Sequence, residues 1–246
     1  MGDIASQLIF HPTVSHALKY SGTTAGRDKA YRAVQYFARF YAWYLLSKGS
    51  KDRAERWSVL KAHLGTARKL LRLGKPVEHL QAALRAALSN GPFGEQLTTI
   101  ARQISYFGFL TYDAFVWANA VKFIRLSPET AQKIQKSSFQ LWFAGILFSI
   151  INSTLKTIRL IKESKRLKAS KTWGEKDLAD EAARDARLAA IKASRTATGQ
   201  QLIIDTLDIW IPATGAGLVN VNEGVLGVFG LITSVLGMKA QWNGLK

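Results

Sequence analysis

The chain has no cysteine, and its 246 residues include only five prolines and four histidines. Without thiols it can build neither a disulfide framework nor a thiolate metal site, which fits a reducing compartment. Few prolines and no polar low-complexity tract leave long helices uninterrupted. His11, His16, His63 and His79 are scattered, and none stands with a carboxylate or a second histidine at metal-ligand spacing. No phosphate-cradling glycine loop, nucleophile elbow or paired-carboxylate site can be picked out, so no enzyme and no cofactor are expected. The start of the chain lacks the basic and long apolar regions of a secretory signal, so export by that route is not expected.

Acidic residues are also in short supply. Asp and Glu number 17 against 34 Lys and Arg, giving a net charge of +17, and a pI near 10.2. Such a balance favours polyanionic company, either nucleic acid or an anionic lipid surface. The cations adjoin apolar faces and no nucleic-acid fold motif is present, so nucleic acid is not expected. Hydrophobic residues make up 48%, above the usual soluble balance.

Apolar residues keep returning at three and four positions, which predicts an all-α chain, an amphipathic helical bundle with one or two membrane-associated or spanning helices. A first helix is expected from Pro12 to about Tyr20. The next, "GRDKAYRAVQYFARFYAWYLLS", puts Asp28, Arg32, Gln35 and Arg39 on one face and Ala30, Val34, Phe37, Tyr41 and Leu45 on another. "SKGSKDRAER" reads as a charged link. "WSVLKAHLGTARKLLRLGKP", residues 57–76, reads as a helix stopped by Gly74 and Pro76. At 100° per residue, Lys61, Arg68, Arg72 and Lys75 fall within about 40° of a common direction, with Lys69 beside them. Leu60, Leu64 and Leu71 run next to the cations. Either the apolar half packs on neighbouring helices while the cations meet water, or the leucines sink into the acyl boundary with the cations over headgroups. "PVEHLQAALRAALSN" and the segment from Gln96 to Ile124 continue the helical rhythm.

Residues 1–130 therefore form an amphipathic amino-terminal region. Residues 137–155, "SSFQLWFAGILFSIINSTL", carry no charge and are long enough to cross a bilayer, as are 215–238, whose one charge is Glu223. In the second span Gly227, Gly230, Ser234 and Gly237 make a small-residue stripe that would let another helix approach closely and could pair copies of the chain. Lys239 and Trp242, in the short tail 239–246, would anchor at headgroup level. Residues 156–200, with 12 Lys and Arg against 6 Asp and Glu, read as a basic helical loop.

The blocks "GRDKAYRAVQYFARFYAWYL" and "LGTARKLLRLGKPVEHLQAA", the aromatic segment "FLTYDAFVWA" and the glycine-rich apolar end resemble the peroxin-eleven family of peroxisomal membrane proteins, particularly its fungal members. The resemblance covers nearly the whole chain. It implies a peroxisome proliferation factor that elongates the organelle membrane before fission through an amphipathic helix binding anionic lipid. That role falls here to residues 57–76, with Lys61, Arg68, Lys69, Arg72 and Lys75 on headgroups and Leu60, Leu64 and Leu71 inserted. It further implies homo-oligomers and recruitment of a fission adaptor and a dynamin-related GTPase. A pore or metabolite channel in the same membrane is the alternative, with Arg102 and Asp113 as candidate lining residues.

Overall fold

The computed structural model describes residues 2–169 and 178–245, and among them helices are joined only by turns and short links. Two short helices, α1 (Gly2–Ile9) and α2 (Pro12–Gly22), lead into α3 (Thr24–Ser47), α4 (Lys51–Leu70) and α5 (Lys75–Ala87). Then come α6 (Phe93–Ala120), α7 (Pro128–Ala169), α8 (Leu178–Asp208), α9 (Trp210–Gly215) and α10 (Glu223–Gly244). The predicted all-helical class is what the chain adopts.

Local chemistry sets the boundaries. Thr23 caps α3 through its hydroxyl, which accepts from the Gly26 N–H at 2.9 Å, and Asn222 caps α10 by accepting from the Val225 N–H at 2.9 Å. The α3–α4 turn passes through Gly49 at φ +77°, a conformation that glycine adopts without strain. The Gln96 amide donates to the carbonyls of Ala86, Ala87 and Ser89, binding the end of α5 to the start of α6.

Three expectations are corrected here. The charged link is the beginning of α4, which starts at Lys51 with Asp52 in its first turn and Arg68 and Lys69 in its last, all suited to the helix dipole. Gly74 and Pro76 do not close the 57–76 helix. It ends at Leu70, and Pro76 lies in the first turn of α5, where a missing N–H does no harm. Lys75 therefore belongs to a different helix from Lys61 and Arg68. Residues 156–200, expected as a basic helical loop, are helical where described, continuing α7 and entering α8; residues 170–177 lie outside the described residues.

The packing order is cyclic. Helix α3 packs on α4, α4 on α6, α6 on α7, α7 on α8, α8 on α10, and α10 returns along α3. Helix α5 lies outside this ring against α6, and α9 packs on α7. Both α7 and α10 are long and apolar enough to cross a membrane, and only 22% and 33% of their most apolar windows are buried. At 1.5 Å per residue the 42 residues of α7 reach about 63 Å, so its charged ends extend well past a hydrocarbon core of about 30 Å.

Polarity is partly inverted relative to a soluble bundle: charged groups are buried beside the apolar ones, and many large apolar residues are exposed. The well-buried apolar cluster is small, Tyr36, Ile211 and Leu226, whereas Arg32, Arg68, Gln103, Asp113, Asp205 and Asp208 are all buried. Outside, Val34, Phe37, Leu46, Val77, Leu84, Phe115, Ile203 and Val235 are among many exposed large apolar residues. So much exposed apolar surface is unfavourable in water and favourable in lipid, and the buried charges Arg32, Arg68, Asp113 and Asp208 are paired within the bundle in either medium.

Candidate membrane-facing site

The polar face that the spacing picks out on α3 turns inward. The Arg32 guanidinium donates from Nη2 to both Asp208 oxygens at 2.8 and 2.7 Å, and from Nη1 to the Thr233 hydroxyl at 2.9 Å. The Asp208 charge raises its already high pKa further against the effect of burial. Asp28 and Gln35 receive Arg68 of α4, at 2.9 and 2.7 Å. Arg39 clasps Glu223 at 2.5 and 2.9 Å, and Lys61 shares that carboxylate at 3.3 Å. The other side of α3 shows Phe37, Trp43 and Tyr44 to the outside. Trp57 of α4 stands edge-on to Tyr41 at 5.0 Å.

The cations of residues 57–76 thus each have a carboxylate within the chain. Lys69 and Arg72 both bind Asp113 of α6, Arg72 at 2.8 Å, and the Arg72 guanidinium sits 5.8 Å from the centre of the Phe109 ring. Lys75 pairs with Glu78 on its own helix at 2.9 Å. Arg68 is 7% exposed; burial and the neighbouring Arg72 charge lower its pKa to about 10. Burial alone would raise the Asp28 carboxyl, but Arg68 and Arg72 overcome it and hold the pKa below the ordinary aspartate value.

The leucines take the complementary side. Leu60, Leu70 and Leu73 are exposed, while Leu64 and Leu71 are half-buried. The ridge continues on α5 with Val77, Leu80, Leu84 and Leu88, the last 86% exposed. This α5 ridge was not among the inserting residues expected, although its spacing of three and four is plain in the sequence. Glu223 is the charge of the second apolar stretch expected either near the interface or paired within the protein, and it is paired; the partner roles of Asp28 and Asp208 were not singled out. Their signal was the scarcity of acids, several of which sit inside aromatic or apolar helices.

The small-residue stripe of α10 is filled by α3 of the same chain. A Cβ at Gly227 would lie 2.6 Å from the Phe40 backbone nitrogen, and the Tyr36 ring lies over Gly230. Ser234 is fully buried, and Gly237 faces the Lys29 side chain. The close helix approach is therefore intramolecular, a correction to the pairing of copies through this stripe. Trp242 packs edge-on against His16 at 4.2 Å.

Arg102 and Asp113 do not meet. Arg102 donates to the Ser149 hydroxyl at 3.3 Å, and that hydroxyl donates to Asp205 at 2.6 Å. Among the described residues no group of three or more His, Cys, Asp or Glu could hold a metal ion.

Comparison with known proteins gives this inverted bundle its setting. The family described as Peroxisomal biogenesis factor 11 matches residues 14–242. The chain is 27% identical to peroxisomal membrane protein PMP30B of Candida boidinii over 99% of both chains. It is equally similar to PMP27 of Saccharomyces cerevisiae, over 98% of this chain and 99% of that one. Peroxisomal membrane protein 11A of Homo sapiens is 24% identical, over 89% and 93% of the two chains. No solved structure matches. Because one family spans nearly all of the sequence, and relatives align end to end, the chain belongs to the peroxisomal biogenesis factor 11 family and is a peroxisomal membrane protein involved in peroxisome proliferation.

Proposed function

We propose that this protein binds anionic lipid through α4, the following turn and α5, bends and elongates the peroxisomal membrane, and so prepares it for fission. It acts physically rather than by catalysis. The observation that carries this is the outward apolar ridge from Leu60 through Leu70, Leu73, Val77 and Leu84 to Leu88, beside a cation-rich flank. Full burial of a leucine is worth about 1.5–3 kcal/mol, so partial insertion of several supplies several kcal/mol without moving a helix. Insertion into the outer part of one leaflet expands it and favours positive curvature.

Headgroup contact divides into two stages. Lys61 and Lys75 are partly exposed and reach phosphates from the docked state. Arg68, Lys69 and Arg72 reach them only by exchanging Asp28 and Asp113 for lipid, at roughly 1 kcal/mol gained per cation on an anionic leaflet. Breaking a buried pair costs about 3–5 kcal/mol, so the docked state dominates until membrane insertion or self-association adds to the gain. Homo-oligomers, a fission adaptor and a dynamin-related GTPase complete the proposal, on the strength of the family resemblance.

The test uses the purified full-length protein with anionic vesicles, comparing wild type with Leu73→Asp combined with Leu84→Asp. Both leucines are exposed, so the fold should persist while tubulation is lost. Unchanged tubulation by the folded double variant would sink the proposal. The buried polar seam through Arg102, Ser149 and Asp205 favours a second reading, a metabolite channel. Steady conductance in planar bilayers, altered by Arg102→Ala, would support that reading over the first.

A further inference from the structure

A cavity of about 540 Å³, open on one side, lies among the helices; α3, α5, α6, α7, α8 and α10 line it, together with Arg68 of α4 and Arg72 of the turn after it. Its lining is cationic. Lys29, Arg32, Arg68, Arg72 and Lys75 face it, against Asp28, Asp205 and Asp208. Most of these charges cancel in pairs. Arg32 is matched by Asp208 and Arg68 by Asp28. Lys75 is matched by Glu78, and Arg102 reaches Asp205 through Ser149.

Two positive charges remain. Lys29 makes neither an ion pair nor a hydrogen bond among the described residues. Lys69 and Arg72 share the single charge of Asp113, which leaves one cation over. Lys29 reaches the cavity across Gly237, where an added Cβ would stand 3.5 Å from its Nζ. Burial first, and then the Arg32 charge, lower the Lys29 pKa; Asp28 and Asp208 act the other way without offsetting them. On another wall, Phe109, Leu110, Trp142 and Ile146 offer apolar surface.

We propose that this cavity is a binding site for a phosphate monoester dianion, held by Lys29 and Arg72, with the carbon portion of the ligand against Phe109 and Trp142. Two uncompensated cations match the charge of such a group, and guanidinium and ammonium donors suit its oxygens. Phosphate is the shared chemistry of two sources, a monoester lipid headgroup such as phosphatidic acid and a soluble phosphoester. The site stands on the cavity and its charge balance, and does not depend on membrane bending by α4 and α5.

The full-length protein in neutral detergent, titrated with inorganic phosphate at slightly alkaline pH in chloride buffer, should show saturable 1:1 binding by calorimetry and a rise in unfolding temperature. Lys29→Gln should weaken binding at least tenfold, Lys29→Arg should retain it, and Lys133→Gln on the outside of α7 should leave it unchanged. Repeating the titration in nanodiscs of phosphatidylcholine with or without phosphatidic acid identifies the source. Loss of phosphate binding in the phosphatidic acid discs assigns the site to the headgroup, and persistence assigns it to a soluble ligand. No saturable binding by the wild-type protein overturns the site even if Lys29→Gln fails to fold. So does undiminished binding by a folded Lys29→Gln.

Discussion

Asp113→Asn tests whether α4 is held by charge. The carboxylate is 3% exposed and receives both Lys69 and Arg72. Asparagine keeps the shape and removes the charge, leaving two mostly buried cations without an anion. Breaking a buried pair in this way costs about 3–5 kcal/mol. For a chain of this size each kcal/mol moves the midpoint by about 2–4 °C, so unfolding in detergent should shift down by roughly 6–20 °C. Circular dichroism during heating reads this, with Lys133→Ala, which breaks an exposed pair with Glu129, as a near-silent control. The substitution also frees two cations for headgroups. At about 1 kcal/mol each, affinity for anionic vesicles should rise by up to about 30-fold at low salt. Affinity for neutral vesicles should not. A midpoint shift no larger than that of Lys133→Ala would refute the idea that Asp113 pins α4, and the docked state with it.

The packing of α10 on α3 can be probed at Gly227. Leucine there meets the Phe40 backbone, which cannot give way, so Gly227→Leu should destabilise by more than the roughly 1–3 kcal/mol typical of overpacking and lower the midpoint accordingly, while Gly244→Ala, with open space around it, should be near neutral by the same heating assay. Acid should loosen α3 from α4. The Asp28 pKa is depressed in the fold, so its stabilisation is complete above about pH 4, the unfolded value, and is lost as pH falls through the folded one. Tryptophan fluorescence followed from neutral pH to strong acid should show that transition, and Asp28→Asn should remove this contribution to it. Arg32→Met should be more damaging than Arg39→Met by thermal midpoint, because the buried Asp208 loses its bidentate partner while Glu223 is half exposed and keeps Lys61.

Spacing made the helices legible, together with the faces of α3 and α4. Asp28, Arg32, Gln35 and Arg39 do share one side, and Lys61 and Arg68 do as well, while Arg72 lies in the turn after α4. Periodicity carries no sign, however. It says that two faces differ, and the surrounding medium decides which one turns inward. The boundaries failed for local reasons. A dense charge run such as residues 51–56 can be helical when its charges suit the dipole, and a proline can open a helix as readily as end one. A continuous 100° phase therefore carries Arg72 and Lys75 past the end of the helix to which Lys61 and Arg68 belong. The glycine stripe correctly marked a close helix approach, but small residues fit a helix from the same chain as well as one from another copy. The anion cavity was illegible because Lys29, Arg72 and Asp113 come from three segments, joined only by the ring.

The inverted polarity also constrains how such a protein can act on a membrane. If the cationic strip faced headgroups at all times, its affinity would follow lipid charge alone. With each cation held by a carboxylate, the proposed lipid binding is a competition between Asp28, Glu78, Asp113 and Glu223 on one side and lipid phosphates on the other. Salt weakens the exposed Lys61–Glu223 contact more than the buried Arg68–Asp28 one, so the first cations to exchange are Lys61 and Lys75. On the proposed function, the apolar ridge needs no exchange and would seat the segment first. Leucine insertion followed by cation release would then make leaflet expansion depend on how many neighbouring copies crowd the same anionic patch. A threshold of that kind would rest on the four carboxylates Asp28, Glu78, Asp113 and Glu223 as much as on the cations they hold.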